Sequence, residues 1–308
     1  MALWVQGLRG GLLETTHAVS AVAVEGERVR WSTGDDIASF WRSACKPMQL
    51  LTALEAIGDG EFDERELAVG AASHSGQPEH LAVVSRLLER FGLQAAALQC
   101  GPHAPMHEPS ARALATPTNL HNNCSGKHTF MLAASRAMGA DPDYRSPEHP
   151  LQLRNRARLE DWGGVRHGVA IDGCSVPTFH APLSAQARAW ARLAAEMADA
   201  TPAGAVGWAM ARQPFYTSGT GRLDLAVVSG AEEPLAVKVG AEGLFCIARP
   251  QSRQGIAVKV HTGSNDALAV AVRAVLRELG VGLRGDWPWS LVRNVRGVVV
   301  GERLAVWG

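Results

Sequence analysis

The chain has 308 residues, 46% of them apolar and 19% charged, and its 30 basic and 30 acidic side chains cancel. That much apolar material can bury a substantial core in one large domain or two modest ones. A neutral chain offers no broad basic field, which argues against a dedicated binder of nucleic acid or anionic membrane.

The N-terminal MALWVQGLRGGLLETTH lacks the order of regions that a signal peptide needs, and no stretch reaches the ~20 apolar residues of a membrane span. A soluble, cytoplasmic protein is expected. HAVSAVAVE and RVRWST read as strands joined by a turn at Gly26-Glu27. Met48, Leu50, Leu51, Leu54 and Ile57 fit a helix ending near Gly58, and Pro47, tolerated only in a first turn, starts it close to Ser43. Helical patterns continue from Pro78 to Phe91, from Ser125 to Gly139, through PLQLRNRARLEDW, and after Ser184, a candidate N-cap. VRHGVAID between them reads as a short buried strand. Strand patterns return in LDLAVVS, PLAVKVG, GLFCIAR, GIAVKV and RGVVVGERLAV, interrupted by a helix over about 265–279. The order predicts an α+β fold, with one antiparallel sheet built from both termini and a central helical lobe. The sheet lobe would span about 1–42 and 205–308 and the helical lobe about 43–204, in a single unit with a site between them.

Ser43 and Lys46 are three residues apart at a helix start, which puts both on one helical face. Serine becomes a nucleophile when a base takes its proton, and lysine can be that base if its ordinary pKa of ~10.4 is pulled down. The same pattern also describes a serine cap followed by an exposed lysine. Ser75 in Ala72-Ser73-His74-Ser75-Gly76 is either a helix cap or a second hydroxyl that relays protons. Five cysteines, widely scattered, read as reduced thiols rather than a disulfide framework. Two of them, Cys124 in LHNNCSGKH and Cys174 in Asp172-Gly173-Cys174, could share a metal with a histidine, and His121-x-x-Cys124 has ligand-like spacing. Lys259 lies inside an apolar strand run, where a buried charge is costly. It is either an edge lysine reaching water or a cation in the cleft that perturbs Lys46. Arg222, in a glycine-rich stretch, is suited to clamp a carboxylate.

RSACKPMQ, ASHSG, CGPHAP, LHNNCSGKH, EHPLQ, DGCSVPTF, GTGRLD, VKVGAEGLFC and GIAVKV occur in that order over nearly the whole chain. Together they resemble the L-asparaginase family of the rhizobial, thermolabile type. The resemblance implies a fold like that of serine β-lactamases and penicillin-binding proteins. It implies that Ser43 and Lys46 form one Ser–Lys pair, that Ser75 and Lys259 support a second, and that Cys124, Lys127 and Cys174 make a zinc site. It also implies homodimers. Arg42, His128 and Asp172 are the expected substrate contacts. The expected reaction is hydrolysis of L-asparagine through an acyl-enzyme; the alternatives are a glutaminase or another serine hydrolase of this fold, and a non-catalytic zinc-stabilised amino-acid sensor. Gln77 and His261-Thr262 stand where the family pattern leads one to expect acidic residues.

Overall fold

In chain order the computed structural model, which describes residues 2–58 and 60–308, begins with β1 (Leu3–Arg9), β2 (Leu12–Glu25), β3 (Arg28–Thr33) and the short β4 (Ala38–Phe40). A 3-10 turn at Arg42–Cys45 runs directly into α1 (Lys46–Ile57). Next come α2 (Glu64–Gly70), α3 (Pro78–Arg90), α4 (Glu108–Arg112), α5 (Ser125–Ala137) and α6 (Pro150–Gly163). The strands β5 (Gly168–Ile171) and β6 (Pro177–Pro182) lead into α7 (Leu183–Ala198), α8 (Pro202–Arg212), α9 (Pro214–Thr217) and α10 (Leu223–Gly230). The chain closes with β7 (Ala236–Val239), β8 (Leu244–Arg249), β9 (Gln254–Val260), α11 (Asn265–Glu278), β10 (Leu291–Arg293) and β11 (Val299–Trp307).

The class is α+β, as expected, and the sheet is built from both termini. Its order is β10-β11-β1-β2-β9-β8-β7, with β3 also on β2. Antiparallel pairing of Leu3 with Trp307 and of Val19 with Val260 ties the first strands to the last. Strand alternation then sorts side chains into two cores. Ile256, Val258 and Val260 of β9 join the cluster under α11, whereas Ala257 faces the helical lobe. Gly255 lets the backbone of α7 lie against the sheet: a Cβ there would sit 2.0 Å from the Ala191 nitrogen and 2.1 Å from the Ala187 oxygen. Pro47 occupies the first turn of α1, and this helix is buried along most of its length against α5, α6 and α8.

Four local expectations are corrected. LDLAVVS forms α10, not a strand; Asp224 and Val227, three apart, are its buried residues. Helical structure therefore continues to Gly230, well past the expected lobe boundary, and α8 packs on α2 and α7. Ser184 does not cap α7. It lies in the first turn, and its N–H and hydroxyl both donate to the Asp36 carboxylate, at 2.8 and 2.6 Å. The strand in VRHGVAID is outward-facing, with Val169 and Ile171 exposed. Among the described residues no helix is long and apolar enough to cross a membrane.

Candidate active site

Ser43 lies in the 3-10 turn ahead of α1, where sheet and helical lobe meet. The residue before it, Arg42, has a φ of 45°. A non-glycine residue in the left-handed region is held there by its surroundings, and such strain collects at functional sites. Here the Arg42 N–H donates to the Thr178 hydroxyl at 3.1 Å, and the guanidinium pairs with Asp172 at 2.5 Å. Ser43 lines two adjoining cavities of about 280 and 260 Å³. Asn123 and Ala241 line both with it. The larger half continues over Ser73, Arg222, Asp224, Leu268 and Trp289, and the smaller over Arg42, His103, Cys124, Asp172 and Cys174.

Lys46 is buried behind Ser43. Its Nζ donates to the Ala72 carbonyl at 2.6 Å and to the Ser73 hydroxyl at 2.8 Å. The hydroxyl beside Lys46 is therefore Ser73, whereas Ser75 was the one expected. Ser75 Oγ is buried without a hydrogen bond and lies against Gly219, where a Cβ would come within 2.5 Å of it. The turn separates the two serines because His74 between them is locked, its Nε2 2.9 Å from Ser125 Oγ.

Lys259 is corrected in the same way. Its Nζ donates to the Glu242 and Val260 carbonyls at 2.6 Å each, which ties the β7–β8 turn to β9, and it lines neither half of the cleft. The lysine near Lys46 is Lys238, on the edge strand β7. It is completely buried, donates to the Val239 carbonyl at 2.8 Å and stands 3.8 Å from Asp224. Burial pulls the Lys238 ammonium down to about 7; Asp224 opposes that shift and the Lys46 charge adds to it. Asp224 accepts from the Val239 N–H at 2.8 Å, and its other oxygen is buried without a hydrogen bond.

On the other side of Ser43, Cys124, Lys127 and Cys174 converge as expected, all buried, with Lys127 Nζ 3.2 Å from Cys174 Sγ. Their mutual hydrogen bond drives the Cys124 thiol well below its ordinary range and the Cys174 thiol well above it. Burial works against a charged Lys127, but the two cysteines and Asp172 outweigh it and raise the ammonium. Burial also works against Asp172, yet Lys127 and Arg42 hold its carboxyl below the ordinary value. Two thiols beside an amine form a donor set that suits a soft-ligand divalent cation. No group of three or more His, Cys, Asp or Glu suited to a metal occurs among the described residues. His121 is not part of this set; its Nδ1 lies 2.8 Å from the Thr118 hydroxyl.

His128 does not reach the cleft. It is fully buried, 2.9 Å from the Tyr144 hydroxyl, and lines neither half. Gln77, the expected acidic position, accepts from the Thr220 N–H at 2.9 Å and holds that loop. His261 contacts Ser20 at 3.0 Å, and Thr262 contacts His17 at 2.7 Å. These departures therefore bear on scaffold contacts, not on the cleft wall.

A family model described as L-asparaginase II matches residues 5–304. No curated protein matches the chain. Among solved structures, a β-lactamase from Mycobacterium bovis aligns with a TM-score of 0.44 at 14% identity, covering 84% of this chain and 94% of that one.

Proposed function

The chain belongs to the L-asparaginase II family, and from that premise we propose that it hydrolyses the side-chain amide of L-asparagine through an acyl-enzyme on Ser43. The observation that carries this reading is the position of Ser43. It is the hydroxyl shared by both halves of the cleft, with Lys46 three residues on and hydrogen-bonded to Ser73 behind it. Lys46 takes the Ser43 proton as Oγ attacks the amide carbon. The N–H groups of Ser43 and Ala241 hold the developing oxyanion; Ala241 N–H makes no hydrogen bond among the described residues. As the C–N bond breaks, the proton passes from Lys46 through Ser73 to the departing nitrogen, and ammonia leaves. Water then attacks the ester, releases aspartate and returns the proton to Ser43.

The head of the amino acid belongs in the smaller half, where Asp172 can take the ammonium and Arg42 the carboxylate. Cys124, Lys127 and Cys174 would hold a zinc ion there, and a bound cation would polarise or orient an anionic group next to it. The lysine would have to be neutral to act as a ligand. Ammonia release from asparagine and glutamine, measured side by side, tests the substrate. Faster turnover of glutamine would replace the asparaginase reading with a glutaminase one. No ammonia from either would return the chain to the sensor reading.

A further inference from the structure

The larger half of the cleft exceeds what ammonia needs. Water, of similar size, takes ~30 Å³ of the liquid, whereas this half holds about 280 Å³ on the far side of Ser43 from Asp172. Its wall is not neutral either. The side chain of Arg222 lines it and makes no hydrogen bond or ion pair among the described residues. Asp224 is 1% exposed and has one carboxylate oxygen with no hydrogen bond. Trp289 adds an apolar surface beside these charges, with Leu268 buried beneath the wall. An unpaired guanidinium, a buried acceptor and an apolar wall make a recognition site for a carboxylate-bearing group with a side chain.

We infer that this half is a leaving-group subsite, and that the enzyme also cleaves β-aspartyl dipeptides, whose side-chain amide carries a second amino acid on its nitrogen. The inference rests on the proposed Ser43 chemistry and on the head group lying toward Asp172. The leaving residue then falls on the opposite side. Its carboxylate meets Arg222, the substituted amide N–H meets the free Asp224 oxygen, and an apolar side chain lies on Trp289. Ser43 Oγ bonds to the carbonyl carbon and the C–N bond breaks. The Ser43 proton, carried by Lys46 and Ser73, ends on the departing nitrogen as the amine of a free amino acid. Water hydrolyses the same aspartyl ester as before, so dipeptide and water give aspartate and one amino acid.

The test is to incubate the purified full chain, in parallel, with asparagine and with β-aspartyl-leucine, and to quantify aspartate, ammonia and leucine by mass spectrometry. The same assays are run on Arg222→Ala and Arg222→Lys. Leucine release is expected. The ratio of dipeptide to asparagine kcat/KM should fall at least about tenfold in Arg222→Ala and recover in part in Arg222→Lys. Asparagine turnover without leucine release overturns the dipeptide inference and leaves the amidase reading standing. Leucine release with a ratio unmoved by Arg222→Ala overturns the assignment of the subsite. Turnover of neither substrate overturns both readings.

Discussion

Ser73 and Ser75 share one turn, yet only Ser73 meets Lys46, at 2.8 Å. If Ser73 relays the proton, Ser73→Ala should lower kcat by about 10²–10³-fold with little change in KM, the scale of a lost proton-transfer group. Ser75→Ala should stay within about threefold of the parent rate, since its hydroxyl makes no hydrogen bond among the described residues. Steady-state kinetics on both variants checks this, and equal losses would remove Ser73 from the relay. Lys238 makes a second prediction. Its ammonium is lowered to about 7 in the folded chain, from an ordinary 10.5. Between those values the unfolded chain holds a proton that the native chain lacks, so stability rises with pH across that window. The cost of burying the charge is complete below about pH 7 and fades toward pH 10.5. Lys238→Met removes that cost. The melting temperature of the variant minus that of the parent should therefore fall by several degrees from pH 6 to pH 9.5. A constant difference would show that Lys238 is not depressed. Local sequence could not single this lysine out. Ala236–Val239 and the stretch 257–260 are both Ala-Val-Lys-Val, and only the strand order places one of them beside Lys46.

At the scale of elements, close backbone approach fixes the seam between sheet and helical lobe. Gly255→Ala would drive a methyl into the α7 backbone. A loss of about 1–3 kcal/mol in denaturant unfolding is expected, the usual cost of overpacking, and an unchanged midpoint would mean that α7 does not press on β9 as described. The helices that carry clear boundary signals were legible: Pro47 and Pro78 start α1 and α3. α10 was not, because the β-branched pair Val227-Val228 looks like strand when its burial partners are unknown. Ser43 and Lys46 were visible because three-residue spacing is a local property. The 45° φ of Arg42 leaves no mark in composition, since it depends on Thr178 and Asp172 more than a hundred residues away.

At the scale of the whole molecule, the cleft brings together distant parts of the chain, among them the turn at Ser43, the loop before α5 and the strand end at Asp172–Cys174. A zinc ion held by Cys124, Lys127 and Cys174 would pin α5 to that strand end. Metal analysis of the purified protein should find zinc that Cys174→Ser largely loses, together with a lower melting temperature; undiminished zinc would remove Cys174 from the ligand set. The grouping of these three residues was legible through the family resemblance, since lysine is a rare ligand that spacing alone would not select. Arg222 was legible as a carboxylate clamp, but the division of the cleft was not, because its larger half also draws on Asn265, Leu268 and Trp289, which no motif ties to it. The central claim is that Ser43 is the nucleophile of an amide hydrolysis. Its most direct test is ammonia release from asparagine by the parent chain and by folded Ser43→Ala. The account predicts stoichiometric ammonia and aspartate from the parent and a loss of at least about 10³-fold in the variant; a folded Ser43→Ala protein that turns over asparagine at near-parent rate would contradict it.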